Sequence, residues 1–143
     1  MENKDTIDVS GLNQLSKTIF RNNKEKGFWD REMNIGELLM LITSELSEAL
    51  EAHRKGRKAE LAEFEMDIKR LGLSLSDFQN QENYHAIADN FKLHIKDSFE
   101  DEIADAIIRL FDLCGSLGMD IETHIKAKVM FNKGRPRLHG KKY

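Results

Sequence analysis

The sequence is short of the residues that interrupt helices and of those that cross-link chains. It has one proline, Pro136, so helix interiors can run unbroken through the rest of the chain. It has one cysteine, Cys114, which excludes an internal disulfide. That thiol lies in an apolar run and reads as a buried free cysteine, in keeping with a reducing compartment. No stretch approaches the roughly 18 consecutive apolar residues of a membrane span. The opening "MENKDTIDVS" lacks a signal-peptide pattern. These absences lead to the expectation of a cytoplasmic protein with no membrane partner. Aromatic residues are few, at 8%, and the net charge is −3, so bulk electrostatics give no reason to expect dedicated nucleic-acid binding. The charge is uneven, however: the last stretch, "KAKVMFNKGRPRLHGKKY", is strongly basic.

What is present favours helix. The 143 residues suit one domain, long enough to bury a core without staples. Glu, Lys, Leu and Ala dominate long stretches. Leu12, Leu15, Ile19 and Phe20 recur at helical spacing and predict a first helix over 9–26, ended by Gly27. Asn34, with Glu37 three residues on, predicts the start of a second helix over Ile35–Lys55, and Gly56 its end. Its expected core stripe is Ile35, Leu38, Leu39, Ile42, Leu46, Ala49 and Leu50. Residues 58–71 form a further, more polar helix. Within it "ELAEFEMD", 60–67, reads as a solvated face with a weak apolar stripe. "LGLSLSDFQNQEN" reads as a loop with room for a turn of helix, and 83–96 as a short helix on Ile87, Phe91 and Ile95. Ser98 caps a strong helix over about 98–117, and Asp120 caps a last one running to Asn132. The expectation is an all-α bundle of four main helices, completed by oligomerisation, with an extra segment at 57–96.

Two pairs of acids sit oddly on this pattern. Glu45 and Glu48 lie three apart in "SELSEALEA", on the flank of an apolar helix. Each residue turns a helix by about 100°, so the two share an edge. Glu102 and Asp105 repeat the spacing in "EDEIADAIIRL", a helix apolar over more than half its circumference. Half-buried acids of like charge need a counter-charge. A hard cation with oxygen ligands, Mg²⁺ or Mn²⁺, supplies it. The bland alternative is that such acid pairs are solvated, with Glu48, Asp105 and Arg109 in surface ion pairs. One Glu-x-x-His, at Glu82 and His85, falls short of the two that a ferritin-like di-iron site needs.

"SELSE" at 44–48, "EIAD" at 102–105, "KVMFN" at 128–132 and "RPRLHGKKY" at 135–143 occur in an order that resembles the MazG-like, all-α nucleoside triphosphate pyrophosphohydrolases, the superfamily that includes the dimeric dUTPases. That family carries Glu-Glu-x-x-Glu on one helix and Glu-x-x-Asp on a later one, then Lys-x-x-x-Asn and an arginine. The resemblance implies that Glu45, Glu48, Glu102 and Asp105 ligate Mg²⁺, with Glu45 or Glu48 activating water. It implies that Lys128, Asn132 and Arg135 meet the triphosphate. Lys141, in the basic tail, joins them as a candidate that closes over substrate. It also implies homodimers or homotetramers. Two departures stand out. Ser44 replaces the first glutamate of the pattern, and 53 residues lie between Glu48 and Glu102, more than in short MazG domains. The Ser44 departure keeps open a second reading, a non-catalytic nucleotide or metal sensor. Trp29, in "GFWDRE", is a candidate for stacking on a nucleobase or for packing the end of the first helix, and Phe28 is expected in the core.

Overall fold

The structure, a computed structural model, describes residues 7–136. Among them the chain is all-helical and holds no strand. Six α-helices run in order: α1 Leu12–Glu25, α2 Ile35–Arg54, α3 Leu61–Arg70, α4 Gln81–His94, α5 Phe99–Ser116 and α6 Ile121–Lys133, with a short 3₁₀ turn at Leu75–Gln79 between α3 and α4. No helix is long and apolar enough to cross a membrane among the described residues.

The local signals behave as their chemistry requires. Asn34 Oδ1 accepts the Glu37 N–H at 2.9 Å and starts α2. Gly56 follows α2 at φ +68°, a left-handed turn that favours glycine. Ser98 Oγ accepts the Asp101 N–H at 3.2 Å, and Asp120 Oδ1 the Thr123 N–H at 3.2 Å. The 71–83 loop contains its turn of helix, capped reciprocally by Ser74 and Asp77.

The described chain falls into two compact units: Asn34–Arg109, and the stretches up to Met33 and from Leu110 onward. The division falls inside α5.

In the first unit, α3 and α4 form a hairpin with its own core. Phe64, Ile68 and Ile87 are buried, and Leu73, Phe78, Phe91 and Ile95 pack around them. Phe64 meets Phe91 edge to face, centroids 6.2 Å apart. The "ELAEFEMD" stretch is therefore not simply a solvated face: Phe64 is one of the anchors of this core. Both ends of the hairpin are tied together. The Glu60 N–H donates to His94 O at 2.8 Å, the Phe99 N–H to Arg57 O at 3.1 Å, and the Ala59 N–H to the Glu100 carboxylate at 2.9 Å. The extra segment thus closes on itself at the start of α5.

In the other unit, α1 approaches the end of α5 closely. Ser16, rather than Leu15, is the buried residue of α1; its hydroxyl donates to Phe111 O at 2.7 Å. Gly115 lies opposite, and only a residue without Cβ fits there: a Cβ would stand 2.5 Å from Ser16 O. Leu15, one of the apolar residues at helical spacing, is half-exposed, because the tight crossing takes the small residue. Asn13 and Glu122 exchange two bonds, the Asn13 N–H to Glu122 Oε1 at 2.9 Å and the Glu122 N–H to Asn13 Oδ1 at 3.2 Å, which pins α1 to the start of α6. Cys114 is a buried free thiol, its pKa pushed up by burial.

Candidate metal centre

The inward face of α2 differs from the expected stripe. Ile42, Glu45, Ala49 and Ala52 are buried, at helical spacings of three and four. Ile35, Leu39, Leu46 and Leu50 are about half-exposed, Leu46 at 50% and Leu50 at 57%. The helix is therefore turned by most of one residue step from the expectation, so that an acid stands in the middle of the buried face and a leucine stripe is left uncovered. Glu45 retains 8% of its exposure and Glu102, on α5, 7%. Glu48 is exposed.

Oxygens of Glu45, Glu48 and Glu102 all lie within 4.8 Å of one another. Burial pushes the Glu102 carboxyl above its ordinary pKa, and the charges of Glu48, Asp101, Asp105 and Glu45 push it further. Asp105 stands outside this trio, on the exposed side of α5. Its carboxyl is also raised, first by loss of water and then by Asp101, Glu45 and Glu48, with Arg109 opposing. The four acids singled out from the sequence thus share one electrostatic neighbourhood, with three of them close enough to grip one ion. An all-oxygen, all-carboxylate donor set fits a hard divalent cation, which would offset the like charges gathered around the buried Glu102 carboxyl.

One contact has no counterpart in the sequence pattern. Arg109 Nε donates to Glu45 Oε1 at 2.6 Å. The available signal was the seven-residue step from Glu102 to Arg109, two turns along one face of α5. Nothing in the sequence tied that face to Glu45, 64 residues away. Ser44, where the family pattern has glutamate, sends its hydroxyl to Glu48 Oε1 over a long 3.4 Å.

The remaining sequence candidates belong to the other unit. Trp29 is half-buried, edge-on to Phe20 at 5.1 Å, with its Nε1–H donating to Asp112 at 3.2 Å. Asp112 also accepts from Asn23 Nδ2 at 2.8 Å. Phe28, expected in the core, is 66% exposed, because its neighbour Trp29 takes the place against Phe20. Lys128, Asn132 and Arg135 lie on or just beyond the exposed end of α6. Lys128 Nζ stands 5.2 Å and Arg135 Cζ 5.7 Å from the Phe131 ring centroid, so two of the three candidate phosphate-binding residues flank an exposed aromatic. Lys141 lies outside the described residues.

Fold and site together define an all-helical protein with a carboxylate cluster able to hold a cation. No protein-family model, no curated protein and no solved structure matches the chain.

Proposed function

We propose that the protein is a Mg²⁺-dependent nucleoside triphosphate pyrophosphohydrolase, with Mn²⁺ as an alternative ion, converting a (d)NTP and water to the (d)NMP and pyrophosphate. The observation that carries this reading is the meeting of Glu45, Glu48 and Glu102, with oxygens within 4.8 Å, at the positions that match the two acidic motifs of the MazG-like family.

Glu45, Glu48 and Glu102 would hold the cation, with Asp105 at the edge. A bound Mg²⁺ would offset the charge of the triphosphate and polarise its phosphoryl oxygens. The chain's own groups do the rest. A carboxylate of the Glu45–Glu48 pair accepts the proton of the attacking water. By the resemblance and by residue chemistry alone, Lys128, Arg135 and Lys141 would offset phosphate charge, Asn132 would donate a hydrogen bond to a phosphate oxygen, and Trp29 would be the candidate for the base. Housekeeping of the cytoplasmic nucleotide pool fits this reaction.

The uncovered stripe of Ile35, Leu39, Leu46 and Leu50 supports the further reading that the chain works as a homodimer or homotetramer, completing a helical bundle with a second copy. Sedimentation of the purified protein tests it, with a monomer at micromolar concentration as the contrary result.

Pyrophosphate release from a panel of nucleotides, with Mg²⁺ and with EDTA, tests the activity. Metal-dependent release of pyrophosphate and a monophosphate is the expected result. Ser44, in place of a glutamate, favours a second reading, a metal-dependent nucleotide sensor. Tight metal-dependent nucleotide binding with no turnover of any nucleotide would select it. No calorimetric signal with either Mg²⁺ or Mn²⁺ would remove both.

A further inference from the structure

We propose that Arg109 is the resident counter-cation of the acid cluster, a positioning residue that holds Glu45 in place and competes with a divalent ion for the same negative charge. This rests on the metal-site reading above.

Glu45 is the buried acid of α2, and its side chain keeps only 10% of its exposure. An ionised carboxylate in that position needs a partner. Arg109 Nε supplies one at 2.6 Å, a short charge-assisted bond to a single oxygen, Oε1. The two partners differ in their access to water. The Arg109 side chain is 44% exposed. A guanidinium at the surface regains hydration easily when it lets go, whereas Glu45 stays buried whichever cation faces it. The exchangeable member of the pair is therefore the arginine.

Arg109 is also the one cation that α5 itself carries, four residues after Asp105 and seven after Glu102. One helix thus carries both part of the acidic cluster and the charge that offsets it. An ordinary structural ion pair would add the same stability whether or not metal is present. A counter-cation adds less once a divalent ion takes over the neutralisation, and its removal makes that ion bind more tightly.

The test uses the full-length protein and Mn²⁺ alone, without nucleotide. Arg109→Met and Arg109→Lys are compared with the parent by calorimetric Mn²⁺ titration and by thermal melting in EDTA and in saturating Mn²⁺. For Arg109→Met, Mn²⁺ binding should tighten roughly tenfold, the scale set by removing one nearby, partly screened positive charge. Its Tm should fall in EDTA and return towards the parent value with Mn²⁺. Arg109→Lys, which keeps the charge, should stay near the parent affinity. Unchanged or weaker binding in Arg109→Met overturns the proposal, as does a Tm deficit of equal size with and without Mn²⁺. A variant that is unfolded in EDTA and not rescued by Mn²⁺ overturns it too. Binding by the parent without a change in Arg109→Met removes this inference alone. Absence of Mn²⁺ binding in every form removes the metal-site reading with it.

Discussion

His94, the last residue of α4, joins Asp67 of α3 through its Nε2 at 3.1 Å, while its Nδ1 lies 3.2 Å from the carboxylate of Glu60. Ionised carboxylates only accept hydrogen bonds, so both ring nitrogens must carry protons for both contacts to be made. The structure favours imidazolium: the Glu60 bond raises the His94 pKa most, and Asp67 adds to it against the opposing effect of burial.

The pH dependence follows in sign. A histidine whose folded pKa is raised stabilises the fold fully below its unfolded value and loses that stabilisation as pH rises through the folded value. The α3–α4 hairpin should thus be firmest below the ordinary value of 6.5 and loosen above it. Melting curves taken from about pH 6 to about pH 9 should show a decline that His94→Gln abolishes. An identical decline in the variant would locate the effect elsewhere.

Gly115→Ala should destabilise the contact between α1 and the end of α5. The added Cβ would meet Ser16 O at 2.5 Å and Phe20 Cβ at 2.7 Å, and the first of these is backbone, which cannot swing aside. A loss of about 1–3 kcal/mol in urea unfolding is expected, the cost of overpacking a tight core. A neutral substitution would mean that the two helices separate freely.

Asp112 anchors the end of α1 and the segment after it through two donors, Asn23 Nδ2 and Trp29 Nε1. Asp112→Ala leaves both partly buried donors without that acceptor and should cost about 1–3 kcal/mol. Trp29 is the only tryptophan, so its fluorescence reports the change directly. A red-shifted emission should accompany the loss in stability. An unshifted spectrum would show that the indole is held by Phe20 rather than by the hydrogen bond.

Glu102→Gln separates the two demands on the acid cluster. Burial, followed by the charges of Glu48, Asp101, Asp105 and Glu45, raises the Glu102 pKa, so its ionisation works against the folded state as pH rises through that raised value. In EDTA at neutral pH the neutral isostere should melt higher than the parent. Under the proposed function it should also bind Mn²⁺ more weakly and lose roughly 100-fold or more in turnover, the scale of removing a preorganised electrostatic contact. A lower melting point in EDTA would contradict the repulsion at this site.

The caps and helices were open to a reading of the chain because they depend on neighbours a few residues apart. Asn34, Ser98 and Asp120 each accept an N–H three residues on, and the apolar repeats near them mark helices almost to their ends. The hairpin core was half legible: Ile87 and Phe91 show the spacing, while Phe64 is hidden among the acids of "ELAEFEMD".

The acids of the candidate site were legible too, as pairs at helical spacing. Their partners were not. Arg109 meets Glu45 across 64 residues, and Trp29 meets Asp112 across 83. Such pairings depend on which helices pack together, and no local period records that.

The sequence by itself determined that the chain is helical, where most of its helices start, and that two of them carry paired acids, because backbone hydrogen bonding and capping act over three or four residues. Only the tertiary structure decided which side of α2 is buried. Its apolar stripe is broader than one packing surface, so Ile35, Leu39, Leu46 and Leu50 could have faced inward as readily as Ile42 and Ala49. The face that was chosen takes Glu45 with it out of water, and long-range packing thereby turns an ordinary helical acid into one that needs Arg109 or a cation beside it.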